Sequence, residues 1–259
     1  MKIVKKIGIL IIIVMVGWYS LNKYMTSGVE EDFFTDIYLY LWNGNLNIAF
    51  FLVFLLGFQE LCVIDSYQLV NNGFDKKMIV RLGYLKYYFH QFKTIIVKSI
   101  GYYLLIHVVF LFSELMIYGY QEVSELDKFK YQLFNENPLS NLIIYILLSA
   151  IGVAIFNCLI FSFSTLIKNK YVFRFLPLIF LFASILLSAL ISPLIQGVLG
   201  YDELVKTIAL SLMIISILEP GMVFMRYGYL SFSLAVIWYL MITGLVIVVT
   251  KKMRQRYDE

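Results

Sequence analysis

The chain has 259 residues, of which 61% are hydrophobic and only 15% charged, with a mean hydropathy of +0.82. A soluble domain carries about 25% charged residues, so these proportions exclude an ordinary water-soluble globule. The net charge of +4 comes from basic residues scattered over four separate flanks, which argues against a nucleic-acid-binding stripe.

The first apolar run, residues 3–21, follows Lys2, Lys5 and Lys6 and is close to the ~20 residues needed to cross a bilayer. Its exit reads Tyr19-Ser20-Leu21-Asn22-Lys23-Tyr24, with no small-x-small cleavage site, so it is read as a retained first span. Further spans are predicted at about 48–64, 95–117, 142–167, 175–199 and 231–250. Pro177 stands near the start of the fifth and Pro193 inside it, where a proline removes one helical hydrogen bond and favours a kink. Trp18, Tyr38, Tyr40, Trp42, Tyr118, Tyr120 and Tyr201 cluster near predicted outer ends, as interfacial aromatics do.

Two segments between these spans are not simple loops. Phe74, Met78, Leu82, Leu85, Phe89 and Phe92 recur at steps of four, four, three, four and three, which places them on one helical stripe. Asp75, Lys76, Lys86, His90 and Lys93 fall mostly on the other side. This predicts an amphipathic helix, or a pair broken at Gly83, along the inner membrane face. The second segment, residues 207–218, is too short to cross and ends at Glu219-Pro220-Gly221; it is read as a half-helix that enters from outside and returns.

Sixteen of the 21 Lys and Arg fall at the N-terminus and within 76–98, 168–174 and 251–256. The intervening loops are acidic, with Glu30, Glu31, Asp32 and Asp36, then Glu122, Glu125, Asp127 and Glu136, then Asp202 and Glu203. Cytoplasmic loops retain Lys and Arg. The expected architecture is therefore an all-α integral membrane protein with six transmembrane helices and both termini cytoplasmic, a single transmembrane domain over 1–259. The abundance of Ile, Lys, Tyr and Phe points to an AT-rich bacterial genome, and so to a bacterial plasma membrane.

The chain has no G-x-x-x-x-G-K-[ST] phosphate loop, no H-E-x-x-H, no Cys-x-x-Cys and no G-x-S-x-G. With only His90 and His107 available, no catalytic residue and no metal site is assigned, and no cofactor is expected on this chain. Ionisable residues inside spans are costly and mark function by default. Glu60, Asp65 and His107 are thus candidates for a translocation path, with Glu60 expected to pair with a basic residue of the amphipathic segment. Glu114 is read as interfacial, and Cys62 and Cys158 as free thiols in apolar surroundings.

Together these features resemble the permease subunit of an ABC-2-type exporter. The most specific stretch is Glu60, then Arg81-Leu82-Gly83-Tyr84-Leu85-Lys86-Tyr87-Tyr88, then Lys93 and Lys98. It is similar to the family's acidic residue late in span two, Arg-x-Gly turn and Lys entering span three. The family's usual Gly-Thr after the acidic residue is replaced by Leu61-Cys62. The resemblance implies that residues 71–92 form a coupling segment, with Phe74, Lys77, Met78, Arg81, Leu82, Gly83, Leu85, Lys86 and Phe89 docking onto a separate cytoplasmic ABC ATPase. That partner would bind ATP and Mg. It also implies a second permease subunit, identical or not, and export of an amphipathic or hydrophobic solute such as a peptide, toxin or antibiotic. Two other readings are a membrane assembly or sensory subunit that transports nothing, and an ion-coupled secondary transporter using Glu60, Asp65 and His107 as its relay.

Overall fold

In hydrocarbon every backbone N–H and C=O must find a partner within the protein, so uncharged apolar runs of this length fold as helices. The computed structural model describes residues 2–25, 38–39, 41–43, 47–119, 133–200, 202–222 and 227–258, and these are helical with short turns and no strand. The helices are α1 (Lys2–Met25), α2 (Ile48–Cys62), α3 (Ile64–Asn71), α4 (Phe74–Leu82), α5 (Tyr84–Tyr118), α6 (Pro138–Ser162), α7 (Lys170–Leu199), α8 (Glu203–Leu210), α9 (Ile215–Leu218) and α10 (Gly228–Asp258). Helices α1, α5, α6, α7 and α10 are long and apolar enough to cross a membrane, and α2 with α3 makes a sixth if that pair, bent by 53°, is one broken span. The chain is a multi-pass membrane protein.

Helix α6 is the centre of the bundle. Its most apolar window is 61% buried, against 11% in α1 and 17% in α7, whose outer faces are left to lipid. It packs on α5, α9 and α10, while α2 joins α1 to α5 and α7. Close approach decides one glycine: a Cβ on Gly152 of α6 would lie 1.7 Å from the carbonyl oxygen of Ile217 in α9.

Segment α8–α9 is predicted as one half-helix over 207–218, and the structure divides it. The chain runs from Asp202 beside α7, breaks at 211–214, and turns back through α9 to Gly221 next to Leu133 and Phe134. Ser211 and Ile214 of the break are buried, Leu212 and Met213 half-buried, and neighbouring helices meet two of its backbone groups. The Ile214 N–H donates to Ser184 Oγ of α7 at 3.1 Å, and Tyr239 of α10 donates its hydroxyl to the Leu212 carbonyl at 2.5 Å. Irregular backbone at membrane depth is tolerated only under such cover.

Three boundaries differ from expectation. The helix that carries span three does not begin near residue 95: α5 runs unbroken for 35 residues from Tyr84, about 52 Å of helix against a hydrocarbon core of ~30 Å. Its first turns therefore project beyond the bilayer, a length that charge counting could not reveal. Span two is not straight over 48–64, because α2 and α3 bend at Val63. There the Leu61 carbonyl accepts from Lys6 Nζ at 3.2 Å, a side chain entering the helical ladder as bends require. Both prolines lie inside α7, which remains one helix. The Phe173 carbonyl, four residues before Pro177 and so deprived of its helical donor, accepts instead from buried Gln59 Nε2 at 2.6 Å.

Candidate functional site

The basic flanks converge on one end of the bundle, and two acids hold them there. Glu60 closes α2, and its Oε2 accepts from Lys5 Nζ of α1 at 2.5 Å. Arg174 Nε of α7 lies 2.5 Å from Glu60 Oε1, an ionic contact outside hydrogen-bond geometry. Asp65 opens α3, and its Oδ2 accepts from Lys6 Nζ at 2.6 Å with Lys98 Nζ of α5 at 3.9 Å. The expected partner of Glu60 is thus corrected. It is Lys5 and Arg174 on two spans, not a basic residue of the amphipathic segment, because α3 and α4 turn away at the Val63 bend. The two acids tie five helices together, α1, α2, α3, α5 and α7, and are neutralised by cations within reach.

Beyond this knot lies a lobe made of α3, α4 and the first turns of α5. Tyr67 of α3 stacks on Phe173 of α7 at 3.9 Å between ring centroids, and its hydroxyl donates to the Lys168 carbonyl at 2.8 Å. Asn71 Nδ2 donates to the same carbonyl at 3.0 Å. Helix α4 is bounded by two glycines in left-handed backbone, Gly73 with φ 69° and Gly83 with φ 81°. A side chain at either would be strained. At the far side Tyr84 shares a hydrogen bond of 2.7 Å with Thr250 of α10. Lys5, Lys6, Lys98, Lys168, Arg174 and the start of the 251–256 basic run therefore share one end of the molecule.

The amphipathic segment is a pair of helices broken at Gly83, one of the two forms expected, and its apolar stripe packs on the core only in part. Met78 and Phe92 pack against it, whereas Phe74, Leu82, Leu85 and Phe89 are exposed, Phe89 to 71%. The buried face is formed by Asp75, Tyr87, Tyr88 and Gln91 instead. Lys76, Lys77, Val80, Arg81 and Lys86 point outward, so the predicted coupling residues, Met78 apart, lie on an exposed basic and apolar surface carried by a firmly docked lobe.

The third predicted residue of the path, His107, is not brought to the knot. It lies nine residues along α5 from Lys98, about 14 Å. Tyr38 hydroxyl and His107 Nδ1 are hydrogen-bonded, Trp42 stacks on the imidazole at 4.1 Å, and Tyr103 tilts against it at 4.2 Å. Tyr38 and Trp42, expected at the membrane interface, are core residues: His107 gives the Tyr38 hydroxyl a buried partner and offers the Trp42 ring a stacking surface. Glu114, read as interfacial, is completely buried within the protein. The sequence signal for this seam exists: Tyr87, Gln91, Ile95, Ser99, Tyr103, Ile106, Phe110 and Glu114 are buried on α5 at steps of four and three. Among them Ser99 accepts from Asn157 Nδ2 of α6 at 2.9 Å, an interhelical bond that neither residue's place in the sequence announces. The acidic stretch at 30–36, residues 122–128 including Lys128, and Tyr40, Tyr120 and Tyr201 lie outside the described residues. Cys62 and Cys158 are buried free thiols. No cluster of three or more metal-ligating side chains occurs among the described residues.

No family model, curated protein or solved structure matches this chain.

Proposed function

We propose that this chain is the membrane-spanning permease subunit of an ATP-binding-cassette exporter of the ABC-2 type, with both termini in the cytoplasm of a bacterial cell. A separate ATPase subunit would supply ATP hydrolysis and its Mg, and a second permease subunit would complete the path. One observation carries the reading: α4 is a short helix fixed at both ends by left-handed glycines, docked through its buried face, and presenting Lys76, Lys77, Val80 and Arg81 outward. A helix held in this way transmits motion, because force on its outer face passes to the first turns of α5 and, through α3, to α7. Segment 202–222 would then be a re-entrant element on the outer side, covered by α6, α7 and α10. The assembly or sensory reading uses the same outward face without transport. The ion-coupled reading is weakened by the pairing of Glu60 and Asp65 with Lys5, Lys6 and Arg174, which leaves neither acid open as a relay.

The exported solute is taken to be amphipathic or hydrophobic, since the chain is 61% hydrophobic and only 15% charged. Purification of the tagged protein in mild detergent should recover an ATPase. Arg81→Glu reverses a charge on the proposed docking face, where like charges can cost several kcal/mol. Gly83→Pro forces φ from 81° to about −65° and breaks the junction between α4 and α5. Each variant should reach the membrane yet lose ATPase association and solute-dependent ATP hydrolysis. Wild-type levels of both in both variants would refute the coupling role. Orientation has its own check: a cysteine at position 86, in a background without Cys62 and Cys158, should resist an impermeant thiol reagent applied to intact cells. Labelling from outside would invert the topology.

A further inference from the structure

Glu114 of α5 stands apart from the paired acids of the inner knot. It is fully buried, and neither of its carboxylate oxygens has a hydrogen-bond partner among the described residues. It lies sixteen residues along α5 from Lys98, about 24 Å, so the cations of the inner knot are far out of reach. A carboxylate without a partner in a low-dielectric interior is expensive, and such a residue marks a functional site with a partner to be named.

The surroundings of Glu114 indicate that partner. Phe110 lies one turn away on the same face of α5 and joins Glu114 to an aromatic cluster that includes Tyr38 and Trp42. Tyr38 leads to Trp42, with ring centroids 6.4 Å apart, and Trp42 meets Phe110 edge-on at 6.1 Å. Phe50 packs edge-on against both, at 5.2 Å from Trp42 and 5.9 Å from Phe110. Aromatic faces attract ammonium groups and shelter the hydrocarbon attached to them, and one carboxylate supplies the matching charge. A hard metal cation would need several oxygen ligands, whereas Glu114 is a single carboxylate.

We propose that Glu114, with Tyr38, Trp42 and Phe110, is the binding site for the ammonium group of an amphipathic organic cation. This rests on the export reading above and narrows it: the solute that the permease carries is positively charged and hydrophobic. The site is closed in this structure, so the cation enters when helices move apart. Its position toward the outer end of α5 places it on the release side of the proposed path.

The probe is radiolabelled dodecyltrimethylammonium, added to the full chain in nanodiscs and competed with unlabelled ammonium or uncharged dodecanol. Wild-type protein should bind it saturably and the ammonium should compete well while dodecanol does not. Glu114→Gln removes the charge with little change of shape and should weaken binding about tenfold or more, the equivalent of ~1.4 kcal/mol. Glu114→Asp should retain most of it. Absence of saturable binding by wild-type protein, equal competition by dodecanol, or unchanged binding in Glu114→Gln would each overturn the site. The first two comparisons need no variant, so misfolding of Glu114→Gln cannot shelter the proposal. No ATPase is needed for the measurement. Failure to recover an ATPase would therefore remove the export reading and leave the site, whereas failure to bind the cation would remove the site and leave the coupling role.

Discussion

Gly152→Val should abolish accumulation of the folded protein, and Gly152→Ala should destabilise it by more than ~3 kcal/mol, beyond the usual range for overpacked cores. The reason is the neighbour's chemistry. A Cβ at Gly152 would meet the Ile217 carbonyl oxygen at 1.7 Å and its carbon at 2.8 Å, both backbone atoms that cannot rotate away. To admit a methyl group α9 would have to leave α6, and the turn at 211–214 would lose the Ser184 and Tyr239 hydrogen bonds that meet two of its backbone groups. Thermal unfolding in detergent, followed by size-exclusion profile, measures the effect. Gly101→Ala and Gly244→Ala are the controls: both glycines sit in helices with no atom within 4 Å of the added Cβ. Each should be neutral or stabilising by up to about 1 kcal/mol, from helix propensity alone. A Gly152→Ala protein as stable as these controls would show that α9 does not lie against α6.

Glu60→Gln is expected to cost about 2 kcal/mol, more than an exposed salt bridge contributes, because it strands Arg174 beside an uncharged amide at the membrane boundary. Lys5 loses less, its side chain being 54% exposed and able to reach water, whereas the Arg174 side chain is 30% exposed. The double variant Glu60→Gln with Arg174→Gln should recover more than half of the loss, since it removes the unmatched charge along with its partner. Asp65→Asn should do less harm than Glu60→Gln, as Asp65 is 30% exposed against 15% for Glu60. Additive losses in the double variant, measured by the same melts, would mean that Glu60 and Arg174 do not interact.

Much of the architecture is legible in the order of residues alone. Hydrophobic length and the alternation of charge along 2–6, 76–98, 168–174 and 251–256 require only that lipid excludes charge and that helices satisfy their own backbone. Both are local properties, so one sequence suffices to state six apolar spans, a special segment around Gly83 and a broken stretch ahead of the last helix. The amphipathic stripe is legible as a period but not as a direction. The period does not distinguish one continuous helix from a pair broken at Gly83; the structure shows the pair, with Gly83 at φ 81° between its members.

What only the tertiary structure decided is which polar group meets which. Gln59 serves the carbonyl orphaned by Pro177, Lys6 caps the bend at Val63, and Glu60 takes Lys5 and Arg174 from helices distant in sequence on either side. Glu114, by contrast, is left without a hydrogen-bond partner among the described residues. A sequence shows that a charge lies in an apolar run, and so that it needs a partner; it does not show where the neighbouring helices place theirs. That pairing is set by helix rotation and close contact, such as Gly152 against Ile217, and these are fixed only when the bundle packs.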